Sequence, residues 1–143
     1  MSDLFIRKAN ELDVFFLFHL RNHSMAREQS HNTNEISYIE HDKWFKKTIS
    51  DNSTKIFIAQ EEDALVGMVR FDIINGINLM SWAVCPEFQG KGFGKEMVFM
   101  ASKTVNSLIS AEIKQNNYAS IKIAEDLGMD LVKTVGKTLF YQK

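Results

Sequence analysis

Glycine in this 143-residue chain is concentrated at one place, and that place constrains everything around it. The stretch Ala83-Val84-Cys85-Pro86-Glu87-Phe88-Gln89-Gly90-Lys91-Gly92-Phe93-Gly94-Lys95 holds three of the seven glycines and the single proline. An apolar run, Leu79 to Val84, enters it. Apolar residues at helical spacing, Phe93, Met97, Val98, Ala101 and Val105, leave it. A strand, a short turn and a glycine-rich helix start present bare backbone N–H groups to solvent. The first turn of a helix leaves those groups unpaired, and the helix dipole favours negative charge there. Glycine removes the side chains that would hold a phosphate away. The segment therefore reads as an anion site suited to a phosphorylated small molecule.

Spacing narrows the choice. A Walker loop requires a glycine five positions before its Gly-Lys pair and then Ser or Thr. Here Gln89 stands five before Gly94, and Glu96 follows Lys95. A dinucleotide fingerprint, Gly-x-Gly-x-x-Gly, would place its third glycine at Lys95. What remains is Gln-x-x-Gly-x-Gly, formed by Gln89, Gly92 and Gly94 behind a strand that ends in Val-x-Pro. This pattern resembles the acetyl-CoA pyrophosphate loop of the GNAT superfamily of N-acetyltransferases. Taken alone, it also reads as a plain glycine-rich strand–helix connection.

The rest of the chain is compatible with an enzyme of that size. Apolar content of 45% and charged content of 24% are those of a globular protein, and residues 1–143 make one domain. A net charge of −1 gives no electrostatic case for nucleic acid or an anionic membrane. Cys85 has no second cysteine to pair with, which fits a reducing compartment. The polar start, Met-Ser-Asp-Leu-Phe-Ile-Arg-Lys, lacks a signal-peptide pattern, and no apolar run approaches a membrane span, so a cytoplasmic location is expected.

The elements follow from pattern and punctuation. A strand is expected at 4–8, then a helix capped by Asn10 and running to about Asn22. A polar connection, 23–36, precedes a helix opened by the capping pattern Ser37-Tyr38-Ile39-Glu40 and ending near Ser50. Strands are expected at 55–60, 65–74 and 77–84, the last two joined at Asn75-Gly76. The glycine-loop helix covers about 92–106. A strand at 109–114, a helix from Asn117 to Leu127 stopped by Gly128, and strands at 131–135 and 138–142 complete the chain. The order β-α-α-β-β-β-α-β-α-β-β is that of an α/β fold with a mixed, mostly antiparallel sheet and about four helices.

That order is similar to the GNAT fold along the whole chain, and a second motif supports the likeness. Glu112-Ile113-Lys114-Gln115-Asn116-Asn117-Tyr118-Ala119-Ser120, followed by Ile121 to Leu127 and Gly128-Met129, resembles the strand–Asn–helix–Gly segment of the superfamily. The resemblance implies acetyl-CoA as acetyl donor. It implies that pantetheine pairs with the backbone of Trp82, Ala83 and Val84, an N–H at the Val84 end polarising the thioester carbonyl. It further implies that the pyrophosphate lies on Gly90, Lys91, Gly92, Phe93, Gly94 and Lys95, with Gln89 opening the loop. Asn117 would contact the pantetheine arm, although Asn at that place also reads as a helix cap.

Amide formation needs a neutral amine and a proton for the leaving thiolate. Some relatives carry a catalytic glutamate five residues before the Asn, a position held here by Glu112, which also reads as a solvent-facing strand residue. His41 or a water is the alternative base. Many relatives place a tyrosine four residues before the glycine of the second motif, where this chain has Ala124. Tyr118, Tyr141 or water would then supply the proton. Cys85 lacks an adjacent histidine to activate it, so it reads as a small buried apolar residue, and the resemblance implies direct transfer in a ternary complex.

The acceptor is expected against the first two helices and their connection. Arg21-Asn22, Arg27, Ser30, His41 and Trp44-Phe45, with Gly67-x-Val-Arg70-Phe71, resemble the branch that acetylates nucleotide-linked amino-sugars, as in pseudaminic-acid pathways. Arginines can clamp phosphates bidentately, and Trp44 can cover a sugar or base. The same residues also read as core and as ion-pair partners of nearby acids. The candidate substrate residues are Arg21, Asn22, Arg27, His41, Trp44 and Arg70. A ribosomal-protein type N-terminal acetyltransferase and a non-catalytic acyl-CoA-binding module are the competing readings. No metal is called for, and the protein is expected as a monomer or homodimer acting on a small-molecule amine.

Overall fold

Alternation of side chains along residues 54–84 builds the centre of the sheet. The computed structural model describes residues 3–31 and 33–143. Strands β2 (Thr54–Glu61), β3 (Ala64–Ile74) and β4 (Ile77–Val84) form an antiparallel meander. The β3–β4 turn has φ of 52° at Asn75 and 78° at Gly76, the two positive values that a tight hairpin turn of this twist demands. β1 (Leu4–Lys8) pairs with β2. β5 (Ile109–Lys114), β6 (Asp130–Val135) and β7 (Thr138–Gln142) complete a seven-stranded sheet in the order β1-β2-β3-β4-β5-β7-β6.

One pairing opens the sheet. β4 and β5 are the parallel neighbours, and they are registered at Asn78↔Ile109 and Leu79↔Ser110 alone. Asn78 pins the closed end, its buried amide donating to Ser107 Oγ at 2.7 Å and to the Leu108 carbonyl at 3.1 Å. Beyond Leu79 the two strands part, which leaves backbone groups of β4 unpaired by β5 and opens a wedge in the sheet.

Helices cover both faces. Strand β2 sends Ile56 and Ile58 to one side, against Leu17 of α1 (Val14–Asn22) and Phe45 of α3 (Tyr38–Ile49). Its alternate residues, Phe57 and Ala59, enter the larger core with Met97, Val98 and Ala101 of α4 (Phe93–Ser102) and Ala124 of α5 (Tyr118–Asp126). A strand buried on both faces must read as the continuous apolar run Ile56-Phe57-Ile58-Ala59. Truncating a residue such as Phe45, which is 1% exposed, costs about 3–5 kcal/mol.

Three boundaries differ from the expectation. The connection 23–36 contains a short helix, α2 (Ser24–Glu28), so the described residues form five α-helices rather than about four. His23 breaks from α1 at φ −60° and ψ 135°, and Arg27 Nε then donates to the Asn22 carbonyl at 3.1 Å. Five residues carry too little periodicity for such a turn to announce itself. The glycine-loop helix ends at Ser102, because Ser102 Oγ and Thr104 Oγ1 take the carbonyls of Phe99 and Ala101. The first helix opens with a separate turn, Glu11–Asp13, held by reciprocal bonds between Asn10 and Asp13. Among the described residues, no helix is long and apolar enough to cross a membrane.

Candidate active site

The wedge between β4 and β5 opens into a cleft of about 1040 Å³ that runs from the glycine loop to the α1–α3 face. At one end the loop is held in the shape its spacing suggested. Gly90 and Gly92 have φ of 79° and 83°, values that an L side chain rarely adopts. Gly92 is the N-cap of α4 and has no side chain to cap it, so the N–H groups of the first turn face the cleft without a side-chain acceptor. Gln89 turns back, its Nε2 donating to the Val84 carbonyl at 3.1 Å, which ties the loop to the end of β4. Gly94 lets α4 approach closely: a Cβ there would lie 2.9 Å from Ile123 Cδ1 and 3.4 Å from Val84 Cγ2.

Of the residues assigned to the donor, Trp82, Ala83, Val84, Gln89, Gly90, Gly92, Phe93, Gly94, Lys95 and Asn117 line the cleft. Lys91 does not; its ammonium lies 5.7 Å from the Phe88 ring. Asn117 serves as the helix cap, its Oδ1 accepting from Ser120 N–H at 3.2 Å, and its amide nitrogen makes no hydrogen bond among the described residues. The two readings of Asn117 are therefore compatible. Trp82 Nε1 donates to Ser120 Oγ at 3.1 Å, bridging the two sides of the wedge.

At the acceptor end two guanidinium groups flank one indole. Arg21 lies 4.5 Å and Arg70 4.9 Å from the centre of the Trp44 ring. Arg70 has a counter-ion, Asp72 Oδ1 at 3.0 Å. Among the described residues, no carboxylate pairs with Arg21. Desolvation lowers its pKa below the ordinary value, and the like charge of Arg70 pushes the same way. A partly buried cation beside another cation is an unbalanced arrangement that an anion would relieve.

Arg21 is aimed by His41, and this corrects the role expected of that histidine. His41 is 0% exposed, does not line the cleft, and so is not placed to be a base or to meet a substrate hydroxyl. Its Nε2 lies 3.0 Å from the Val14 carbonyl, an acceptor only, and its Nδ1 lies 3.3 Å from Arg21 Nη1, a donor only. One tautomer, neutral with the proton on Nε2, satisfies both. Burial lowers the His41 pKa, opposed by the Val14 carbonyl. Asn22 and Arg27 also lie outside the cleft lining. The Asn22 amide makes a two-way clasp with the Ile36 backbone, both bonds 2.8 Å, and Arg27 caps α1. Trp44, in turn, packs both as core and as cleft wall.

The acid–base candidates divide in the same way. Glu112 and Tyr118 line the cleft, and Tyr118 is 77% exposed. Tyr141 is buried in the core and does not reach the cleft. Ala124 is buried in the same core, so no hydroxyl enters from its position. Cys85 is buried with its thiol 3.6 Å from the Leu65 carbonyl. Burial, then the charge of Glu87, pushes the Cys85 pKa up to about 11, which keeps it a neutral thiol. The partner of Glu112 is a residue the sequence did not suggest: His31, from the α2–α3 connection, whose Nε2 lies 3.1 Å from Glu112 Oε1. A histidine in a polar loop 81 positions away carries no spacing signal.

Residues 16–129 match the Acetyltransferase (GNAT) family. Comparison with curated proteins gives no match. Solved structures share the fold. A spermidine N-acetyltransferase of Vibrio cholerae, in complex with CoA and spermine, is 19% identical with a TM-score of 0.85, covering 98% of this chain and 93% of its own. The protein yncA of Salmonella typhimurium, with its cofactor acetyl-CoA, is 20% identical with a TM-score of 0.81 over 99% and 94% of the two chains. A domain from Methanocaldococcus jannaschii is 21% identical with a TM-score of 0.86 over 100% and 99%.

Proposed function

The chain belongs to the acetyltransferase (GNAT) family, and from that premise we propose that its acceptor is a small primary amine bearing an anionic group, a nucleotide-linked amino-sugar being the substrate class. The enzyme is an acetyl-CoA-dependent N-acetyltransferase. The observation that carries the acceptor reading is Arg21, a guanidinium that no carboxylate among the described residues pairs with, held on Trp44 beside Arg70 inside the cleft. A phosphate or carboxylate there accepts bidentate, charge-assisted bonds, and the indole gives a sugar or base a flat surface. A polyamine would bring positive charge to the same two arginines. The likeness to a spermidine enzyme, at 19% identity, is a likeness of fold.

The donor would lie with its pyrophosphate on the first turn of α4 and its pantetheine along Trp82–Val84. The unpaired β4 backbone offers an N–H to the thioester oxygen as negative charge develops. Deprotonation of the acceptor ammonium belongs to the Glu112 end of the cleft, with Tyr118 or water returning a proton to sulfur. The test is an acceptor panel: acetyl-CoA with a UDP-linked 4-amino-sugar, spermidine and a basic peptide, followed by release of free thiol. Turnover is expected with the nucleotide-linked amine. Turnover of spermidine or peptide alone overturns the acceptor assignment.

A further inference from the structure

We propose that His31, oriented by Glu112, is the group that takes the proton from the acceptor ammonium; this rests on the acetyltransfer reading above and adds the residue that completes its base. Two contacts strap the end of α2 and the α2–α3 connection onto β5. Lys114 Nζ donates to the Glu28 carbonyl at 2.7 Å, and two residues earlier on β5 Glu112 meets His31. Because residues two apart on a strand share a face, both straps stand on the same face of β5. Glu112 and His31 both line the cleft.

The pair has a defined polarity. An ionised carboxylate only accepts, so the imidazole Nε2 carries the proton toward Glu112 Oε1, and Nδ1 holds the free lone pair. That is the arrangement by which a carboxylate fixes the tautomer of a base and steadies the cation it becomes. A carboxylate engaged by an imidazole is less free to act as the base itself. In the proposed step the ammonium gives one proton to Nδ1. The neutral nitrogen then attacks the thioester carbonyl, the C–N bond forms and the C–S bond breaks, and the second N–H proton goes to the departing sulfur. The imidazolium returns its proton to solvent. The other titratable groups on the elements around the pair are Lys114 on β5, His23, Arg27 and Glu28 on the α1–α2 side, Glu35 in the α2–α3 connection, and Tyr118, Lys122, Glu125 and Asp126 on α5.

The test combines two readouts on the full-length protein. Nitrogen-edited NMR of the imidazole, without any acceptor, should report the Nε2–H tautomer for His31 in the wild type and loss of that preference in Glu112→Ala. In the acetylation assay with the UDP-linked 4-amino-sugar, His31→Gln and Glu112→Gln should each lower kcat/KM by about 100-fold or more, the double variant falling no further than the worse single. His31→Gln should also abolish the acid limb of the wild-type pH profile while leaving the KM for acetyl-CoA unchanged. An Nδ1–H tautomer in the wild type, or full activity with an unchanged pH profile in His31→Gln, overturns the proposal. Should the amino-sugar fail as acceptor, the tautomer measurement still decides whether the pair exists.

Discussion

Replacing Gly67 by Ala tests whether the donor strand is positioned as the cleft geometry requires. Gly67 sits on β3 opposite Val84, at the end of β4 where the thioester would lie. A Cβ at Gly67 would collide with the Ala83 carbonyl oxygen, and would stand 3.1 Å from Met97 Sδ and 3.2 Å from Val84 Cα. Two of those three atoms are backbone, so relief requires β4 itself to move rather than a side chain to rotate. Overpacking of this kind costs about 1–3 kcal/mol. For a domain near this size that lowers Tm by roughly 2–12 °C, at about 2–4 °C per kcal/mol. Movement of Ala83 and Val84 also misplaces the backbone that meets the donor. Losing one such hydrogen bond, about 0.5–1.5 kcal/mol, weakens acetyl-CoA binding by about 2- to 10-fold. Scanning calorimetry and isothermal titration with acetyl-CoA read the two effects. Gly94→Ala is the comparison for stability alone: its new Cβ meets first the far end of Ile123, which can turn away, so its Tm should fall less than that of Gly67→Ala. Gly67→Ala with wild-type Tm and wild-type acetyl-CoA affinity would refute the close β3–β4 contact and the role given to it.

Three further outcomes follow from the geometry. Gly92→Glu should abolish thermal stabilisation by CoA, since it places a carboxylate at the anion site and forces a non-glycine residue to φ 83°, at about 1–2 kcal/mol; retained stabilisation would move the pyrophosphate elsewhere. Cys85→Ala should keep kcat within about twofold, because a thiol held neutral is a poor nucleophile; an acetylated Cys85 trapped by mass spectrometry would contradict direct transfer. His41 has its folded pKa below the ordinary 6.5, chiefly through burial, so its contribution to stability is complete above about 6.5 and declines as pH falls toward the folded value. Chemical denaturation between neutral and mildly acidic pH should show that decline, at most about 1.4 kcal/mol per pH unit, and His41→Gln should flatten it; equal slopes in both proteins would mean that His41 does not bind the proton differently in the two states.

The glycine loop and the sheet were legible because their signals are local. Gln89, Gly92 and Gly94 announce a backbone shape, and Asn75-Gly76 a turn, without reference to distant residues. The strand over 55–60 was placed by its run of β-forming residues, but its burial on both faces emerged only with the helices packed on it. The acceptor end was legible only in part. Arg21, Trp44 and Arg70 do meet, but His41 and Asn22 share their segment and point into the scaffold, where buried polar groups must find partners. Sequence position cannot distinguish a histidine that meets substrate from one that aims an arginine. Tyr141 failed as a proton donor for the same reason: its strand alternation sends it to the core. His31 was invisible because the contact that gives it meaning is made across the cleft by tertiary structure.

The most direct test of the account is the preference of the enzyme for a phosphorylated amine over the same amine without its phosphate, measured as a ratio of kcat/KM in the wild type and in Arg21→Gln. A charge-assisted hydrogen bond to Arg21 contributes about 1.5–3 kcal/mol, or roughly 10- to 150-fold. The wild type should prefer the phosphorylated amine by at least about tenfold, and Arg21→Gln should lose most of that preference while its KM for acetyl-CoA stays the same. Equal rates for the two amines in the wild type, or an undiminished preference in Arg21→Gln, would contradict an anion-binding acceptor site built on Arg21.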